Sequence, residues 1–152
     1  MTQMMTNSNF NSLPDPDVQA EFYANVPIKR LFAWIADVFL VTLATLLAGV
    51  FTLGIGWLFF PLFYLGIDFA YRTLTLSSGS ATFGMRLMAI EIRNSSGRRL
   101  DAPEAALHVL AYMVCTGFVL TAFASIAMMI LGPRRQGLHD LVLGTAAINR
   151  PG

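Results

Sequence analysis

The run of residues 29–50, KRLFAWIADVFLVTLATLLAGV, limits what this chain can become more than any other stretch. Lys29 and Arg30 open it, and Asp37 sits two turns inside. No further charge occurs until Asp68. About 20 mostly apolar residues cross the hydrocarbon core of a bilayer, so residues 31–52 read as a transmembrane helix with an acid in its cytoplasmic third. Arg30 and Asp37 are seven residues apart, on one helix face and roughly 10 Å apart along the axis. An acid at the centre of a spanning helix costs about 2.5–3.5 kcal/mol on insertion scales. Asp37 therefore needs a partner, a proton or a water-filled pocket. It reads as an ion or proton site, or as a structural pair with a basic side chain from another segment.

Composition agrees with a membrane setting. Of the 152 residues 55% are hydrophobic and only 12% charged, against about 25% charged in soluble domains. A net charge of +1 gives no reason to expect a nucleic-acid partner. Cys115 is alone, so no intrachain disulfide forms. One Cys and two His, His108 and His139, assemble no zinc-ligand spacing along the chain. No nucleophile–base pair, phosphate loop or cofactor motif stands out, so the expectation is a non-enzyme without metal or cofactor.

Residues 1–26 read as a polar N-terminal tail without a secretory leader, disordered over residues 1–14. Residues 19–23 fit either a short interfacial helix or a plain linker. The basic pair Lys29–Arg30 places the start of the first helix, and with it the N-terminus, in the cytoplasm. Gly49, Gly54 and Gly56 break the apolar run. A second helix is expected over residues 57–76, with Pro61 in its first turn and Asp68 and Arg72 one turn apart, neutralising each other. Residues 86–100 alternate and contain the turn Asn94-Ser95-Ser96-Gly97, which predicts a small cytoplasmic β-hairpin.

Asp101 and Glu104 have capping-box spacing and predict a helix start. An apolar run over residues 105–131 follows. Within it Gly117, Thr121 and Ser125 form a four-residue ladder of small side chains suited to close helix packing. His108, one turn after Glu104, suggests a helix-surface bond to it. Gly132-Pro133 ends the run, Arg134-Arg135 follow, and the chain closes in a short β-prone segment up to Ile148. If both basic clusters are cytoplasmic, the 27 residues between must cross twice or turn back. Their helical length is roughly 40 Å, and two crossings need about 60 Å. The alternatives are a single span, an interfacial segment, or a re-entrant pair broken near Thr116-Gly117, which is the preferred reading.

Three motifs in order resemble the RDD family of bacterial membrane proteins. Arg30 and Asp37 match its opening Arg and first Asp. Thr82, Gly84 and Arg86, in SATFGMRLMAIEI, match its segment after the second helix. RRQGLHD, residues 134–140, with Gly144-Thr145, matches its closing motif, Asp140 standing as the second Asp. The resemblance covers residues 27–148, leaving 149–152 as a tail. The pair Asp68/Arg72 is not part of that pattern. The resemblance implies an integral membrane protein for which transport of an unknown ligand is the usual suggestion.

The fold expected is thus an all-α membrane protein of three to four hydrophobic helices with a small cytoplasmic β-hairpin. It is multi-pass in the cell membrane, with the lipid bilayer as partner and a homo-oligomer or a membrane protein as further partners. Arg30, Asp37 and Asp140 form the expected polar cluster, for a ligand, an ion or structure alone. Arg134 or Arg135 is the first candidate to neutralise Asp37 and Arg86 the next, with Asp140 holding Arg30 or one of these in place. His139-Asp140 suggests a proton relay, or a cap made by Asp140. The leading function is transport, or help in transport, of a small ligand or ion. The alternative is a non-transporting accessory or assembly subunit, which would bury Asp37 dry.

Overall fold

In a computed structural model, residues 12–151 are described. The expectation for residues 1–11 lies outside them. From Leu13 on, the N-terminal segment packs into the domain: Leu13 and Tyr23 are buried with Ala146 and Ile148, and the Tyr23 hydroxyl donates to the Pro14 carbonyl at 2.7 Å. A single 3-10 turn, Ala20–Phe22, leads into the first long helix.

Helix α1 spans Val26–Phe51. Pro27 lies in its first turn, where a missing N–H leaves no helix bond unmade. Its buried residues include Ala33, Asp37, Val41, Thr45 and Gly49, a stripe repeating every four residues. The stripe is narrow and mostly small, so neighbouring helices approach closely. Leu31, Phe32, Phe39, Leu47 and Phe51 point outward. With the 3-10 turn before it, α1 contains the only window among the described residues long and apolar enough to cross a membrane as one helix, with mean hydropathy 2.2.

The chain reverses through Leu53 and Gly54, both with positive φ. The expected second helix is divided in two, α2 (Ile55–Leu58) and α3 (Phe60–Gly79), because Phe59 leaves helical geometry. Trp57 folds back on α1, where its indole N–H donates to the Leu46 carbonyl at 3.3 Å. A Cβ on Gly49 would overlap that indole, so the glycine is what admits Trp57. Pro61 lies in the first turn of α3 as expected. A short helix α4, Phe83–Leu87, follows and packs against α1.

The expected hairpin over residues 86–100 does not form. Its first half becomes α4 and strand β1, Ile90–Arg93. β1 pairs antiparallel with the C-terminal strand β2, Ala146–Asn149, so that Ile92 faces Ala147 and Glu91 faces Ile148. The local partner contributes only the bridge Arg93–Arg99. The turn itself is as expected: the Asn94 side chain accepts from Ser96 N and Arg98 N. The reason for the switch is room. Asp101 already caps the next helix, which leaves three residues, Arg98 to Leu100, for a returning strand, while β2 supplies Ala146, Ala147 and Ile148 to a buried interface.

Helix α5, Ala102–Gly117, starts with the predicted capping box of Asp101 and Glu104. Phe118 is extended, and α6, Val119–Leu131, leaves at 113°. The apolar run is therefore a broken pair, with the break at the expected place. Only together are α5 and α6 long and apolar enough for one membrane span. Gly117 faces open space, so the small-residue ladder is not a continuous helix contact; the bend separates Gly117 from Thr121 and Ser125. Ser125 is buried and packs on the loop before α7, Leu138–Leu143, where its hydroxyl accepts from Leu138 N at 3.0 Å.

The buried core lies at one end of the helices. Val26, Leu76, Ile92, Leu100, Ala105, Val109 and Ala147 join the starts of α1 and α5 to the end of α3 and the sheet. Away from that end the long helices turn large apolar side chains outward, among them Phe39, Leu47, Leu62, Leu65, Leu120 and Phe123. Such a continuous apolar surface is unlike the small patches of soluble monomers.

Candidate functional site

Two polar nodes sit between the helices, each built on one aspartate of the sequence motif. The first is Asp37, 1% exposed on the buried stripe of α1. Its Oδ1 accepts the Tyr71 hydroxyl at 2.7 Å and Gly84 N at 2.9 Å. Its Oδ2 accepts the Thr82 hydroxyl at 2.6 Å. Thr82 also caps α4 by accepting from Met85 N, and Tyr71 accepts from Phe83 N. One carboxylate thus seats the whole start of α4 on α1. Gly84 is required there, since a Cβ would overlap the Ala33 carbonyl oxygen and stand 2.9 Å from Asp37 Oδ1.

The cation beside Asp37 is Arg72, with Nη1 3.7 Å from Oδ2. Arg72 Nε is bound more closely by Asp68 Oδ1, at 2.8 Å. Its guanidinium lies 4.5 Å from the centre of the Tyr112 ring, and the Tyr112 hydroxyl accepts the Trp34 indole N–H at 2.7 Å. Arg134, Arg135 and Arg86 do not fill this role. Arg134 stands beside Tyr23, Arg135 donates to the Ile130 carbonyl, and Arg86 holds the Ala81 carbonyl and Ser78 at the α3–α4 corner. The two arginines after α6 are carried elsewhere by the 113° bend. Arg72 was legible as a charge inside an apolar helix. Pairing it with Asp68 alone hid its second contact.

The second node is Asp140, fully buried in the first turn of α7. Arg30 Nη1 reaches its Oδ2 at 2.5 Å, which brings together the motif residues Arg30 and Asp140 across 110 positions of chain. Oδ2 also accepts Gly137 N at 2.9 Å, so Asp140 caps its own helix. Oδ1 accepts the Thr145 hydroxyl at 3.2 Å. His139 Nε2 lies 3.2 Å from Arg30 Nη2 and 3.5 Å from Asp140 Oδ1. His108 does not bond Glu104, whose carboxylate is taken by the cap and by Asn94. Its Nδ1 is 3.2 Å from the Thr145 hydroxyl and its Nε2 3.7 Å from Asp140 Oδ1.

Burial alone would raise the Asp140 carboxyl, but Arg30 together with His139 and His108 outweighs it, so the group lies well below the usual carboxylate range. His139 goes the other way: burial and the nearby guanidiniums lower it, and Asp140 offsets only part. At neutral pH the node is an aspartate–arginine pair flanked by a neutral His139. Spacing along the chain suggests no metal site, yet folding brings one ligand atom each from His108, His139 and Asp140 within 4.8 Å of one another.

Arg30 and Asp37 make their polar contacts with different partners; both face one cavity of about 630 Å³ between α1, α3, α5 and α6. Arg72, His108, Tyr112 and His139 line it too, and the remaining walls are mostly apolar. Of the charged groups, Arg30, Asp37 and Arg72 line it, with Asp140 and Asp68 paired to the two arginines.

A family model described as the RDD family matches residues 25–144. That range contains both aspartate nodes. No curated protein and no solved structure matches the chain.

Proposed function

The chain belongs to the RDD family, a membrane family, and from that premise we propose a multi-pass protein of the cell membrane that moves, or helps to move, a small ligand or ion through its interhelical cavity. The observation that carries this reading is the cavity of about 630 Å³, with apolar walls and a polar floor of Arg30, Asp37, Arg72, His108 and His139. Ionisable groups placed at membrane depth mark ion and substrate paths more often than they mark packing. Within the floor the two nodes divide the work. Asp37 accepts three hydrogen bonds and holds α4, so it is the frame. The histidines are the groups with bonds to exchange, since His139 Nδ1 is buried without a hydrogen-bond partner. No catalytic role is proposed, and the bilayer is the one partner on which the reading depends.

One feature favours the second reading, a non-transporting accessory subunit: Asp37 is 1% exposed and both its oxygens are hydrogen-bonded within the protein. Reconstituted liposomes decide between them. A transporter gives flux above empty vesicles for at least one member of an ion panel, and Arg30→Lys, which keeps a cation beside the buried Asp140, lowers it with folded yield retained. An accessory subunit gives no flux for any ion, and the protein co-purifies with a membrane partner through its sheet end.

A further inference from the structure

The Asp140 node contains an arrangement that its own hydrogen bonds do not complete. Asp140 is ionised beside Arg30, so the Thr145 hydroxyl must donate to Oδ1. The single Thr145 proton is then used, and His108 Nδ1 must be the N–H that donates to Thr145. A neutral His108 therefore turns its Nε2 lone pair toward Oδ1, 3.7 Å away. His139 Nε2 accepts from Arg30, so it carries no proton, and it too stands near the same oxygen, at 3.5 Å. Three acceptors converge with no proton between them. The Nδ1 of His139 is buried without a hydrogen-bond partner.

We propose that His108 Nε2, His139 Nε2 and Asp140 Oδ1 form a binding site for a borderline divalent transition-metal ion of the zinc type. The chemistry of the donors fits, since two neutral imidazoles and one carboxylate are ordinary zinc ligands. The spacing fits as well. Ligands about 2.0–2.1 Å from a tetrahedral ion lie about 3.4 Å from one another; each imidazole nitrogen is 3.7 or 3.5 Å from Oδ1, and the three residues bring one ligand atom each within 4.8 Å of one another. Supporting contacts are already in place: Thr145 fixes the His108 tautomer, and Arg30 and Gly137 N hold the other carboxylate oxygen. Such contacts orient metal ligands. Arg30 keeps Oδ2 and gives up only its contact to His139. Both histidines line the cavity, so the fourth coordination position faces it. This inference deepens the reading of the cavity as a ligand space by naming an ion class.

The test uses full-length protein without a polyhistidine tag, stripped with chelator and placed in lipid nanodiscs. Zinc is titrated in competition with a chromophoric chelator, and X-ray absorption is recorded at the zinc edge. The expected result is one ion per chain with two imidazole ligands. The chain has only two histidines, so that signature assigns the site in the wild type even if a variant fails to fold. His108→Gln and His139→Gln should each weaken binding at least about tenfold, with the exposed-acid variant Asp15→Asn unchanged. Substoichiometric zinc, or bound zinc lacking two imidazoles, overturns the site. Zinc binding without any flux upholds the site and defeats transport; flux without zinc binding upholds transport and overturns the site.

Discussion

Asp37 shows how far a single residue can be read. Its position in an apolar helix already demands a compensating group, and that demand is met. Which group meets it depends on how α3 turns against α1, and nothing in the spacing of charges says that. Arg72 therefore stood hidden behind Asp68, whereas Arg30 and Asp140 became partners through the motif they share. The consequence is testable. Asp37→Asn leaves Arg72 to Asp68 alone and sets an NH2 donor against one side of the site: if the amide oxygen keeps Tyr71 and Gly84 N, the Thr82 hydroxyl loses its acceptor. Asp37→Asn should lower folded yield and stability in detergent by about 1–3 kcal/mol, the range for unsatisfied buried polar groups. Adding Arg72→Gln should cost less than the sum of the two single changes; strict additivity in a thermal-unfolding cycle would show that Arg72 does not serve Asp37. Gly84→Ala should cost about 1–3 kcal/mol by overpacking against the Ala33 carbonyl. Gly117→Ala, which meets nothing within 4 Å, should leave the melting temperature nearly unchanged. Equal effects at the two glycines would contradict the seating of α4 on α1.

At the level of elements, sequence signals worked where they were local and failed where the partner was distant. The capping box of α5, the Asn94 turn and the break near Gly117 depend on a few adjacent residues, and all three are present. The strand alternation of residues 90–93 was also legible, but its partner was not. β1 takes up β2, more than fifty residues away, over the adjacent segment. The small-residue ladder failed for a related reason, because a helical repeat holds only while the helix continues. Strand pairing has a direct check. In a Cys115→Ser background, cysteines at the paired positions Ile92 and Ala147 have Cα atoms about 4.5–5.5 Å apart, within the range a disulfide bridges. Oxidation should link them and shift mobility on a non-reducing gel.

For the whole molecule the decisive fact is that distant basic residues gather at one end. Lys29 at the start of α1 donates to Asn149 of β2 at 2.7 Å. Glu91 of β1, fully buried, is ringed by Arg93, Arg99 and Arg150. Arg30 of α1 holds Asp140 of α7, and Ser12 N bonds Ser95 O in the turn. The starts of α1 and α5, α7 and the sheet therefore share one end. The outward-facing apolar side chains of α1, α3 and α6 extend away from it. Since basic residues are retained in the cytoplasm, that end should be cytoplasmic and the break at Phe118 should mark the far limit of a re-entrant pair. Single cysteines beside Arg98 and beside Arg134, in a Cys115→Ser background, should both resist an impermeant thiol reagent in intact cells and react after permeabilisation. A cysteine at Leu53, in the turn after α1, should react from outside. Labelling beside Arg134 without permeabilisation would put the end of α6 across the membrane. It would break the Arg30–Asp140 pair from its place, because one helix start and one loop cannot meet from opposite faces of a bilayer about 30 Å thick.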